Sequence, residues 1–234
     1  MMFDPLWLIV VGPTLLVAFY AQFKVMSTFK KYSRIRVASG QTGAAVAQLI
    51  LDRAGIRDVS VERISSMLGD HYDPRQKVLR LSPDVYDGNS ISAVGVAAHE
   101  CGHALQHAQG YAPLHLRSVA VPLAMGAQFG SQLLPVAVIL CIVFKLLAFL
   151  PIVIYVAIVV FAIITFFSLI TLPVEFNASS RAKAILQQMG TVNREEAAGV
   201  NKVLSAAAFT YVAAFIMSLA NMFYWILKAQ SRRD

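Results

Sequence analysis

From Ser118 to Val174 the chain carries a single charged side chain, Lys145. A bilayer core takes about 20 helical residues at 1.5 Å rise each, so this stretch is too long for one crossing and long enough for two. Residues 118–172 are therefore expected to form a transmembrane hairpin. Lys145 should lie near the turn and reach the headgroups through its alkyl stem, with Pro151 opening the return helix. Two further apolar runs, residues 5–23 and 203–227, are also long enough to cross. The first reads as a retained anchor: no basic residue precedes it, Asp4 is the only charge there, and no small-x-small cleavage pattern stands before Lys24. A hydrophobic content of 57%, a charged content of 14% and a mean hydropathy of +0.62 fit a mainly α integral membrane protein with about four transmembrane helices.

Charge placement orients these spans. Lys24, Lys30, Lys31, Arg34 and Arg36 follow the first run, so the positive-inside rule sets the segment from Lys24 on the cytoplasmic side and the N-terminus outside. Four crossings then set Lys228, Arg232 and Arg233 outside, against the same rule, and the side of the tail stays open. The net charge of +7 does not point to nucleic acid, because the basic residues cluster beside apolar runs instead of interleaving with aromatics on a polar face. The partner they imply is the lipid bilayer. Two cysteines, Cys101 and Cys141, make no disulfide framework and read as small core residues in a reducing compartment.

Residues 24–117 hold most of the 20 basic residues and form the one candidate soluble domain. Residues 42–54 have the polar start, apolar periodicity and following glycine of a helix. Residues 59–64 and, less cleanly, 77–81 alternate as strands, with Asp73-Pro74-Arg75 a turn before the second. A small α+β domain is expected.

The chemistry lies at His99-Glu100-Cys101-Gly102-His103, late in a helix that begins near Asn89-Ser90. Residues four apart on a helix are offset by about 40° and 6 Å, so His99 and His103 present their imidazoles to one point, as a zinc ion requires. Glu100 lies about 100° round the helix, beside that point, where a carboxylate can take a proton from water. The pattern predicts one zinc per chain, with His99 and His103 as ligands and Glu100 as general base for metal-assisted hydrolysis. An HExxH string also arises by chance on amphipathic helices. Here Ala97, Ala98 and Gly102 add the small residues that close packing around a site needs. His107 continues the i+4 series, but it stands about 12 Å from His99 along the axis, too far for the same ion, and reads as a neighbour of the site or a surface residue. His71 and His115 stay open as further ligands, although lone histidines in polar segments are usually solvated.

Between Cys101 and Arg194 the only acidic residue is Glu175, at the predicted cytoplasmic end of the third span. A lone carboxylate near hydrocarbon is costly, and coordination would offset that cost, so Glu175 is the candidate third ligand. A helix-capping role, with Pro173 as a helix-start residue, is the compatible alternative. The segment of residues 173–202 would then carry the ligand into the site.

HECGHALQH, an EF-x-A segment after a membrane hairpin and GDHYDPRQKVLRLSPDVYDG together resemble the YugP-type neutral zinc metallopeptidases of bacterial membranes, over nearly the whole chain. The order HExxH, hairpin, glutamate is more distantly similar to HtpX-type membrane proteases. The resemblance implies a zincin-like, gluzincin-like catalytic domain on the cytoplasmic side of a multi-pass plasma-membrane protein, acting on protein or peptide substrates, membrane proteins among them. The HtpX-type ExxxD pattern maps its ligand onto Glu175, but Ser179 stands where that pattern has the aspartate that orients a ligand histidine. That role would fall to Ser179 or Asn177. Arg181, Tyr72 and His71 are available as oxyanion donors, and residues 77–81 are the candidate edge strand for substrate pairing. Two other readings remain. An intramembrane protease would carry HExxH inside a span, but the apolar stretch before His99 is too short for one. A zinc-stabilised scaffold would not need Glu100. Substrate identity and oligomeric state are not written in the sequence.

Overall fold

The computed structural model describes residues 4–66 and 69–231. The chain is mostly helical and divides into two compact units: Met1–Tyr20, Leu116–Leu172 and Thr210–Asp234 form one, and Ala21–His115 with Pro173–Phe209 the other.

The first unit draws on five helices: α1 (Pro5–Val10), the start of α2 (Gly12–Tyr32), α6 (Ala112–Val143), the first part of α7 (Leu150–Gln188) and the end of α8 (Arg194–Gln230). Among the described residues three helices, α6, α7 with the 3-10 turn before it, and α8, are long and apolar enough to cross a membrane. Only 17%, 11% and 33% of their most apolar windows are buried. Phe129, Ile139, Ile152 and Val159 face outward, a surface that suits lipid and not water. Lys145 stands in the turn with φ 56, and Pro151 is the second residue of α7. The first apolar run is helical but interrupted at Val11, and its second helix continues past Phe23 to Tyr32. Val11 is buried with Leu134, Ile154, Tyr224 and Trp225, so this run packs inside the apolar unit. Asp4 caps α1 and accepts from the Tyr224 hydroxyl at 2.9 Å and from Lys228 Nζ at 2.6 Å. Of the tail cations only Lys228 is described; Arg232 and Arg233 lie outside the described residues.

The second unit holds the polar segment. Helix α3 (Gly43–Arg53) is capped by the Thr42 hydroxyl, which accepts from Ala45 N–H, and stops at Gly55 in a left-handed conformation. Strands β1 (Ser60–Arg63), β2 (His71–Asp73) and β3 (Val78–Leu81) form one sheet in the order β1-β3-β2, with β1 parallel and β2 antiparallel to β3. This corrects the expected substrate edge. The strand at residues 77–81 is central and hydrogen-bonded on both sides, whereas β1 and β2 are the edges, and β2, the edge beside α5, is three residues long, too short to show alternation. Asp73 Oδ1 accepts from the Arg75 and Gln76 amides and closes the β2–β3 turn. A short helix α4 (Pro83–Tyr86) leads to α5 (Ile91–Ala108), capped by the Ser90 hydroxyl at Ala93 N–H. One core joins Ile50 and Leu51 of α3, Leu79 and Leu81 of β3, Val94 and Cys101 of α5, and Ala182 and Leu186 of α7. Pro173 lies inside α7 and does not open a helix, so Glu175 is not a helix-start cap.

Candidate metal centre

Helix α5 carries two of the three converging groups. His99 and His103 are one turn apart, with ring centroids 4.9 Å apart at 83°. The third comes from α7: Glu175 Oε2 lies 3.2 Å from His99 Nε2 and 3.6 Å from His103 Nε2. The candidate ligand atoms of these three residues all lie within 4.8 Å of one another. Gly102 makes this approach feasible. A Cβ at that position would stand 2.6 Å from the Ala178 carbonyl oxygen, one turn along α7 from Glu175, so a side chain there would push α7 and its carboxylate away. Glu175 is 2% exposed and His103 8%. Burial works against the Glu175 charge, but hydrogen bonds and charge from His103 and His99 outweigh it and hold the carboxyl well below its usual range.

The histidines are oriented from behind, which tests whether the group fits a metal. Gln106 Nε2 donates to the Val174 carbonyl at 2.8 Å, an atom that can only accept, so the amide oxygen is the atom that faces His103 Nδ1 at 3.0 Å. His103 Nδ1 therefore carries a proton, and Nε2 is the ring atom left facing Glu175. Ser179 Oγ lies 3.1 Å from His99 Nδ1 and holds the other imidazole. Two imidazoles that face the carboxylate with Nε2, each partnered at Nδ1, together with that buried carboxylate make a donor set that suits zinc.

Glu100 is buried beside the cluster and does not join it. Its Oε2 accepts from the Tyr72 backbone N–H of β2 at 3.1 Å. The edge strand thus spends its central outward amide on Glu100. Tyr72 also places its hydroxyl 2.8 Å from His107 Nδ1. Burial first, then the charges of Asp58 and Asp73, push its pKa up to about 12, so the phenol keeps its proton. Cys101 is no ligand: burial, reinforced by the Glu100 charge, raises its pKa, and the thiol hydrogen-bonds to the Ala47 carbonyl.

Other expected residues lie apart from the three ligand groups. His71 donates from Nδ1 to the Gly69 carbonyl at 2.7 Å, and His115 is exposed on α6. Arg181 donates to Asn177 Oδ1 at 2.6 Å and to Gln109, and stacks on Tyr111. Asn177 also accepts from Gln106 at 3.0 Å, so it braces the brace and not a histidine. Sequence reasoning missed Gln106. The available signal was a polar residue three positions after His103, on the same helical face, in an otherwise apolar run.

The family described as "Putative neutral zinc metallopeptidase" matches residues 7–230. The chain belongs to this neutral zinc metallopeptidase family. "Putative membrane protease YugP" of Bacillus subtilis (strain 168) is 47% identical over 217 residues, covering 93% of each chain. No solved structure matches. Membership of the neutral zinc metallopeptidase family implies zinc, and His99, His103 and Glu175 are the described residues whose geometry could hold it.

Proposed function

We propose that the chain is a membrane-bound zinc endopeptidase that hydrolyses peptide bonds at the cytoplasmic membrane surface, with His99, His103 and Glu175 holding one zinc and Glu100 as general base. The observation that carries this reading is the division of labour on α5: two imidazoles turn their Nε2 atoms to Glu175, while the carboxylate between them in sequence is held away by the Tyr72 amide. Bound zinc would supply Lewis acidity, lowering the pKa of water to about 7 and polarising the scissile carbonyl. Glu100, anchored through Oε2, keeps Oε1 for the proton of the attacking water. As the C–N bond breaks, Glu100 passes that proton to the departing amide nitrogen. Gln106 and Ser179 hold the imidazoles in the productive tautomer throughout.

The placement in the membrane is part of the same reading. Four crossings are supported by the first apolar run packing with the hairpin and last helix, and by Asp4 meeting Tyr224 and Lys228. An even number of crossings returns both termini to one side, and the basic cluster after the first run argues that the zincin-like unit lies on the cytoplasmic side. Glu100 separates this reading from a zinc-stabilised scaffold, which would have no use for a carboxylate held beside the ligands.

The test is zinc content and casein cleavage of the detergent-purified protein beside Glu100→Gln and Glu175→Ala. Glu100→Gln should keep stoichiometric zinc and lose cleavage, and Glu175→Ala should lose both. A parent that binds zinc without cleaving casein would favour the scaffold, and a parent that binds no zinc would overturn the reading.

A further inference from the structure

Building on the membrane-protease reading, we propose that a cleft in the apolar unit receives one face of a substrate's transmembrane helix, one that carries hydrogen-bonding side chains within its span and an acidic residue at the end that meets Arg117. The cleft has a volume of about 320 Å³ and is lined by α6, α7 and α8. Arg117 is the last charge before the uncharged run, and Gln128 stands eleven positions further along α6, about 16 Å at 1.5 Å per residue. On α8, Asn221 lies ten positions beyond Tyr211, about 15 Å further along. The lining therefore joins a cationic end to polar groups deep in helices that are otherwise apolar.

The partners of those groups decide what fits. The hydroxyls of Ser131, Ser168, Thr171 and Ser218 donate to carbonyls of their own helices, and Asn221 Nδ2 donates to the Met217 carbonyl, so each leaves oxygen lone pairs for a visitor. The Gln128 side chain is exposed on the lining and makes no hydrogen bond among the described residues, although its backbone carbonyl accepts from Ser131 Oγ. A carboxamide with no partner in hydrocarbon is costly. A phospholipid does not relieve that cost, since an acyl chain has neither donor nor acceptor about 16 Å below its headgroup. A helix bearing Asn, Gln, Ser or Thr has both at that depth, and interhelical hydrogen bonds of this kind join membrane helices. Phe161, Phe167 and Met217 supply apolar walls for the rest of that helix. The Arg117 guanidinium complements a carboxylate at the corresponding end of the visitor.

The test uses the full chain in phospholipid nanodiscs, with Glu100→Gln to keep reporters intact and Phe161→p-benzoylphenylalanine as a photo-crosslinker. Two single-span reporters are compared: a Leu/Ala helix, and the same helix with a central Asn and an Asp at its membrane-surface end. The polar reporter should crosslink about tenfold more, and Gln128→Leu should abolish that preference. Equal crosslinking, a preference that survives Gln128→Leu, or crosslinks mainly to lipid or to a second copy of this chain would overturn the proposal. With Glu100 restored, Gln128→Leu should slow cleavage of the polar reporter about tenfold and leave casein cleavage and zinc content unchanged. Equal loss on both substrates would also overturn it. Because crosslinking needs no turnover, a chain that captures the polar reporter but cleaves nothing refutes the protease reading and leaves the cleft standing.

Discussion

At the scale of single residues, Gln106 holds His103 at Nδ1, while the Ser179 hydroxyl stands at His99 where the distant pattern has an aspartate. Gln106→Leu removes the acceptor at His103 Nδ1 and should weaken zinc binding about 10–100-fold, measured by competition with a chelator, while the helix persists. Ser179→Ala should do the same at His99, less severely because a hydroxyl is a weaker partner than an amide oxygen. Asp70 gives a pH test away from the metal. Its carboxylate accepts from the Ser82 amide and hydroxyl, yet burial raises its pKa above 3.8 against those bonds. A carboxyl raised in the folded state binds protons that the unfolded chain has released, so its contribution is full below 3.8 and is lost as pH rises through the folded value. Asp70→Asn lacks this titration. The melting temperature of Asp70→Asn relative to the parent should therefore climb as pH rises from the ordinary carboxylate value towards neutrality.

At the scale of elements, the contact of α5 with α7 is the one that makes a site, and Gly102 is its hinge point. Gly102→Ala sets a methyl 2.6 Å from the Ala178 carbonyl and forces a shift of α7. The expected cost is about 1–3 kcal/mol in stability together with lost zinc, read by thermal melting and metal analysis of one preparation. Legibility in the sequence followed element length. Helix α5, its Ser90 cap and the i+4 histidines were readable because an eighteen-residue helix repeats its period several times. The hairpin turn at Lys145 was readable because a charge in an apolar run has few places to go. Strand β2 was not, since three residues hold no period, and with it went the Glu100–Tyr72 bond, which depends on which strand lies at the edge. Glu175 could be found by scarcity, but Gln106 could not, because a glutamine in a helix carries no mark of the carbonyl it will meet 68 positions later.

At the scale of the whole molecule, the ion pair between Asp4 and Lys228 ties the start of the first apolar run to the end of the last. If four helices cross, both termini face the same compartment. A cysteine introduced by Ser231→Cys should react with a membrane-impermeant maleimide added to intact cells, and one introduced by Arg57→Cys should react only after permeabilisation. The reverse pattern would invert the topology, and opposite-side labelling of positions 4 and 231 would reduce the count to three.

On the proposed reading, the wide separation of the three candidate ligands along the chain would also set when the protein could begin to cut. His99 and His103 leave the ribosome well before Glu175, and the entire hydrophobic hairpin is synthesised in between. A nascent chain halted anywhere before Pro173, or one whose hairpin has not folded back, owns two ligands of three and no working blade. Under that reading birth order would act as a safety catch, keeping hydrolysis silent until the hairpin has been made.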